Sequence, residues 1–162
     1  MEESLNQAPP ARPPLGIYPS RCDDKGRVRL PKEFEEYLRT LPDPEYFVTS
    51  IDGGSVVRVY PIETWRQNAS ILENYEEDPD AAEDIAFMAD YWGAVSGIDG
   101  QGRVLVPPVL RRQAGIEDQK VFVRFYNSAV EIYSEAESER RLQRATEAVA
   151  ANLKALRKKG LK

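Results

Sequence analysis

The sequence predicts an α+β protein built from two successive copies of one unit, and three observations carry that expectation. The segment "CDDKGRVRLP" (Cys22 to Pro31) returns as "IDGQGRVLVP" (Ile98 to Pro107), and both fit D-x-x-G-R-V-x-x-P, each residue of the first lying 76 positions before its counterpart. Each motif is followed by a proline-started helical pattern, and each helix by two strand-like runs around a turn. Five identities at fixed spacing, with the same order downstream, mark an internal repeat rather than chance turn chemistry.

Residues 1–14, "MEESLNQAPPARPP", are proline-rich and poor in apolar side chains, and disorder is expected there. The first repeat, 15–60, opens with "LGIYPSRC", a strand expected to be interrupted at Pro19. The turn "DDKG" follows, then the strand "RVRL", in which Val28 and Leu30 share one face and Arg27 and Arg29 the other. Pro31 suits the first turn of the helix "PKEFEEYLRTL", whose Phe34, Leu38 and Leu41 fall on one stripe. "YFVTSI" and "VVRVY" around "DGGS" read as a hairpin, because glycine accepts positive φ. A connector, 61–92, reads as two helices split at Asp78-Pro79, its acidic run a solvated face rather than a metal site. The second repeat, 93–134, gives the strand "AVSGI", the turn "DGQG", the strand "RVLV", the helix "PPVLRRQAG" and a hairpin around "NS". Tyr60 and Tyr133 are 73 residues apart, so the second copy has a shorter loop between helix and hairpin. Residues 135–162 read as one charged helix with a basic end, and Trp65 and Trp92 as core residues.

Composition narrows the chemistry. The 162 residues include one cysteine, Cys22, and no histidine, so an intramolecular disulfide, the usual zinc spacings and imidazole catalysis are all excluded. No apolar run is long enough to span a bilayer, the start does not look like a signal peptide, and a cytoplasmic, nucleoid-associated protein is expected. The net charge of −5 opposes a protein coated in positive charge but allows a local basic patch. Cys22 has no histidine partner and the hairpin glycines are followed by no Lys-Ser or Lys-Thr, so no catalytic residue, cofactor, metal or small-molecule substrate is expected.

Within D-x-x-G-R, Gly26 and Gly102 permit a left-handed reversal, Asp23 and Asp99 can accept turn amides, and Arg27 and Arg103 begin the outgoing strands. One reading is an Asp–Arg pair that pins the turn. The other is a fork of donors for double-stranded DNA, since a two-stranded ribbon fits the major groove and arginine suits phosphate or the O6/N7 edge of guanine. The duplication favours the second.

The motif "DDKGRVRLP", its echo "DGQGRVLVP", the helix after each and the span from about Leu15 to about Glu135 resemble MraZ, a family of bacterial transcriptional regulators built from two AbrB-like repeats. The resemblance implies that each repeat is a β-α-β-β unit and that the two form a pseudo-symmetric swapped-hairpin barrel. It also implies a homo-oligomeric ring that binds short G-containing direct repeats upstream of the operon for division and cell-wall genes. Carried over by position, the binding motif falls on Asp23, Lys25, Gly26 and Arg27, and on Asp99, Gly102 and Arg103. This chain departs from the pattern in its extension through Pro14, in the acidic run Glu33, Glu35, Glu36, and in Gln101, which stands where the first copy has Lys25.

The copies are expected to be unequal. Arg27 and Arg29 are grouped with Lys25 and Arg21, whereas the second copy offers Arg103 beside Leu105 and Gln101, so Arg103 is expected to matter less for DNA. The alternative reading is a non-enzymatic assembly protein or AbrB-like antitoxin whose motif arginines contact a subunit or partner.

Overall fold

The computed structural model describes residues 12–162, so the disorder expected over 1–14 falls for the most part outside the described residues. The first copy supplies β1 (Ile17–Cys22), β2 (Arg27–Arg29), α1 (Lys32–Arg39), β3 (Tyr46–Thr49) and β4 (Val57–Pro61). Two connecting helices follow, α2 (Ile62–Glu73) and α3 (Pro79–Trp92). The second copy supplies β5 (Ala94–Ser96), β6 (Arg103–Leu105), α4 (Pro108–Gln113), β7 (Gln119–Tyr126) and β8 (Ala129–Ser134), and the chain ends in α5 (Glu135–Glu147) and α6 (Val149–Arg157).

All eight strands join one antiparallel sheet in the order β5-β3-β4-β8-β7-β1-β2-β6. The pairing exchanges parts between copies: β1 lies against β7, and β5 against β3, so each copy's leading strand extends the other copy's hairpin. β4 pairs with β8 and β2 with β6. The bridge Ile98–Val104 repeats the Cys22–Val28 pairing and brings the two ends of the strand order together. The result is an α+β fold around a nearly closed, pseudo-symmetric swapped-hairpin barrel.

The alternation read in the sequence places the core. Val28 and Leu30 from one motif and Val104 and Val106 from the other are buried with Phe34, Leu38, Leu110, Val121, Val123 and Ile132 in a single cluster. Burying side chains of this size stabilises by about 1.5–3 kcal/mol each. A smaller cluster of Phe47, Tyr60, Ala89 and Ala129 is covered by the partly buried Trp65, while Trp92 packs partly buried against the larger one.

Two local expectations change. Pro19 does not interrupt β1, which pairs with β7 along its whole length. The missing N–H is harmless because β2 reaches the opposite edge only at Cys22. The terminal helix is two helices: Ala148 leaves helical geometry at φ −100°, ψ 3°, just after the Thr146 hydroxyl turns back to donate to the Leu142 carbonyl at 2.8 Å. The connector divides as the sequence predicts, with the Asp78 side chain accepting from the Ala81 N–H at 3.0 Å as the N-cap of α3 and Pro79 opening the helix.

Candidate nucleic-acid interface

The two motif turns are built alike. In the first, Asp23 Oδ1 accepts the backbone N–H groups of Lys25 at 3.0 Å and Arg27 at 2.8 Å, and Oδ2 accepts Arg27 Nε–H at 2.7 Å. In the second, Asp99 Oδ1 accepts Gln101 N–H at 2.9 Å and Arg103 N–H at 3.0 Å, and Oδ2 accepts Arg103 Nε–H at 2.9 Å. The turn-pinning Asp–Arg pair is therefore present in both copies. It consumes Nε only, and among the described residues the terminal amino groups of Arg27 and Arg103 make no protein hydrogen bond. Pinning the stem holds a long side chain in one direction and leaves its outer donors available.

These contacts also set the charge of the turns. Burial works against the Asp23 anion, but the Arg27 backbone and side chain and the Lys25 N–H hold its carboxyl below the ordinary range. For Asp99 the Arg103 backbone N–H is the leading cause of the same shift, against a smaller burial penalty.

Gly26 and Gly102 sit at φ +84° and +75°, in the left-handed region, and a helix of the opposite copy grips each turn. A Cβ at Gly26 would strike Arg111 from α4, whose guanidinium donates to the Lys25 carbonyl at 2.8 Å. A Cβ at Gly102 would strike the carboxylate of Glu35 from α1, which accepts Arg39 Nε–H at 3.0 Å while Arg39 donates to the Asp99 carbonyl at 3.0 Å. Glu35 and Arg111 are themselves 76 residues apart, so the pseudo-symmetric position carries opposite charges in the two copies.

The antiparallel register of β2 and β6 decides which cations are neighbours. Arg29 stands opposite Arg103 and Arg27 opposite Leu105, with the Val28–Val104 pair between them buried. The Cys22–Val28 pairing, continued by one residue, sets Arg21 beside Arg29, and Ser20 Oγ–H donates to the Arg29 carbonyl. Arg21 is exposed and paired with Asp118 at 2.7 Å, whereas Arg29 and Lys25 are exposed and have no ion-pair partner among the described residues. The first copy's cations are thus divided between the two ends of the ribbon: Lys25 and Arg27 at one, and Arg21 and Arg29 with Arg103 at the other. Arg103 has company that chain order did not suggest.

The gripping residues Arg39, Glu35 and Arg111 were not singled out in the sequence as turn contacts. The only signal for them was the helix that follows each motif, whose partner copy is fixed by the exchange of strands. Cys22 is buried, and burial above all, with the Asp23 charge, pushes its thiol up to about 11. Among the described residues no group of His, Cys, Asp or Glu gathers as metal ligands would, and no helix is long and apolar enough to cross a membrane.

Comparison with known proteins supports the duplicated-motif reading. The family model for the MraZ protein, described as antitoxin-like, matches residues 95–158. The transcriptional regulator MraZ of Koribacter versatilis is 32% identical over 111 residues, 68% of this chain and 75% of the relative. That of Lachnoclostridium phytofermentans is 34% identical over 121 residues, 74% of this chain and 80% of the relative. That of Thermomicrobium roseum is 35% identical over 123 residues, with 74% and 80% covered. With the duplicated turn, the exchanged strands and these relatives in agreement, the chain belongs to the MraZ family of transcriptional regulators.

Proposed function

We propose that this protein is a sequence-specific DNA-binding regulator of transcription, with no enzymatic activity, and that the outer face of the β2–β6 ribbon is its DNA-contacting surface. The observation that carries the reading is the antiparallel meeting of the two motifs, which sets Arg29 opposite Arg103 and leaves the outer donors of Arg27 and Arg103 available on pinned stems. A two-stranded ribbon has the width to enter the major groove, and arginine forks suit phosphate and guanine. Arg21 and Lys25 supplement this surface, and Asp23, Gly26, Asp99 and Gly102 shape it. The buried, weakly acidic Cys22 is no candidate nucleophile.

The finer reading follows the family: the target is short direct repeats upstream of the division and cell-wall operon, engaged by a homo-oligomeric ring. Exposed apolar side chains on the helices, including Phe87, Tyr91, Leu142 and Leu156, support assembly. The competing reading is an assembly or antitoxin-like protein whose motif arginines serve only the turns, and it draws on the Asp–Arg pairs. A gel-shift titration with the DNA upstream of the gene, with a sizing check on each variant, separates the two. The expected result is retardation by the wild-type protein and a loss of at least tenfold in affinity for both Arg29→Ala and Arg103→Ala with the oligomer intact. Wild-type protein that retards no duplex overturns the DNA reading.

A further inference from the structure

The β1–β7 register places Lys120 opposite Arg21, and both are exposed on the outer side of strands whose Cys22 and Val121 are buried. Continued through Arg21–Arg29 and Arg29–Arg103, the row across β7, β1, β2 and β6 reads Lys120, Arg21, Arg29, Arg103. Four cations therefore stand side by side on one face, drawn from both copies, with Asp118 paired to Arg21 and Asp99 to the Nε of Arg103, while Arg29 and Lys120 have no ion-pair partner among the described residues. Lys120 belongs to neither motif. Its ammonium lies 5.0 Å from the centroid of the Phe122 ring, which shares its face of β7 and supports the side chain.

The pseudo-symmetric row has a different chemistry. The same steps, continued one residue past the Tyr46–Ser96 pairing of β3 with β5 and past the Ile98–Val104 bridge, give Glu45, Gly97, Leu105 and Arg27, one anion and one cation. Neighbouring strands lie about 4.8 Å apart, so the four-cation row spans about 14 Å. The major groove is roughly 12 Å wide. A ribbon seated in the groove with Arg29 and Arg103 inward thus carries Lys120, two strands away on a convex barrel wall, to the flanking backbone.

Building on the DNA reading above, we propose that Lys120 is a phosphate-binding residue that extends the interface beyond the two motifs and gives the ribbon a preferred orientation on the duplex. A compact ammonium without a fork of donors attracts phosphate as a point charge, so its contribution is independent of base sequence.

The test is a pair of salt titrations of DNA affinity, on the upstream duplex and on an unrelated duplex, for the full-length wild type, Lys120→Gln, Lys120→Arg and Arg29→Ala, with oligomer size checked for each. The slope of log affinity against log salt is expected to fall by about 0.9 for every Lys120 that touches DNA. Lys120→Gln is expected to weaken both duplexes by the same factor, Lys120→Arg to restore the slope, and Arg29→Ala to change the ratio between duplexes. An unchanged slope for Lys120→Gln in a protein whose wild type binds overturns the Lys120 assignment and leaves the DNA reading standing. A changed ratio between duplexes with an unchanged slope also overturns it, since that is base readout. Wild-type protein that binds neither duplex overturns the DNA reading and this inference with it.

Discussion

The two ends of the β2–β6 ribbon share one backbone and differ in what they present. At one end Arg103 faces Arg29 and the row continues through Arg21 to Lys120; at the other Arg27 faces Leu105, and Gly97 and Glu45 follow. The turns beneath them are alike hydrogen bond for hydrogen bond. Duplication has kept the parts that make the turn, Asp, Gly and Arg, and varied the outward positions that the turn does not need. Geometry and charge are separable here, because the Asp–Arg pair fixes the arginine by its Nε and the strand pairing chooses its neighbours.

The grips on the two turns differ as well, and the largest expected effect lies there. Gly26→Ala forces a left-handed residue to carry a Cβ, at about 1–3 kcal/mol for the backbone alone, and drives it into Arg111. Arg111 is only 15% exposed and is tied to the Lys25 carbonyl, so it has little room to yield. Gly102→Ala meets the same backbone cost, but the Glu35 carboxylate in its way is 28% exposed and can swing toward solvent. Urea unfolding is expected to show both variants destabilised and Gly26→Ala the more so. Equal shifts in midpoint would mean that Arg111 yields as readily as Glu35.

How much of this was legible in the sequence depends on whether a feature is local. The turn chemistry was: Asp23, Gly26 and Arg27 specify their conformation within five residues, and so do their counterparts. The inward alternation of Val28, Leu30, Val104 and Val106 was legible for the same reason. The exchange of strands between copies came only through family resemblance, because nothing in β1 or β5 says which hairpin edge it will join. That exchange determines that Arg29 meets Arg103 and that Lys120 stands beside Arg21. Grouping cations by position in the chain therefore assigned Arg21 and Arg29 to the first turn, when the register sends them to the end occupied by Arg103. The tail also misled, since the break at Ala148 follows from a side-chain hydroxyl competing with the helix backbone, which composition does not reveal.

A smaller effect comes from making the ends alike. Leu105 is exposed and faces Arg27 as Arg103 faces Arg29, so Leu105→Arg would give the Arg27 end the facing pair of arginines that the other end has. Like charges placed opposite one another on a sheet cost roughly 0.2–1 kcal/mol, and the fold is expected to tolerate this. DNA affinity at low salt is expected to rise a few-fold and the salt dependence to steepen. A fold-stable Leu105→Arg variant with wild-type affinity and slope would show that the Arg27 end stays away from the duplex, and that the orientation set by the other end is strict.

The smallest effect is on acid stability, and it tests whether the two turns are equal in strength as well as in form. Both Asp23 and Asp99 have carboxyls held below the ordinary range, Asp23 against a leading burial penalty and Asp99 chiefly by the Arg103 backbone N–H. A carboxyl depressed in the folded state contributes stability that is present above its unfolded value, about 3.9, and is lost as pH falls through the lower folded value. The chain has no histidine, so no imidazole adds a slope near neutrality. The urea midpoint of the wild type is therefore expected to decline below about pH 4 from these two groups. Asparagine keeps an oxygen for the two turn amides and loses the charge that binds the arginine, so Asp23→Asn and Asp99→Asn should each start slightly less stable at neutral pH and lose less on acidification. Both carboxyls are lowered by the same kinds of contact, to the arginine and to the turn amides, so the flattening is expected to be alike for Asp23→Asn and Asp99→Asn. A flattening seen in only one variant would show that the two turns, alike in form, are unequal in strength.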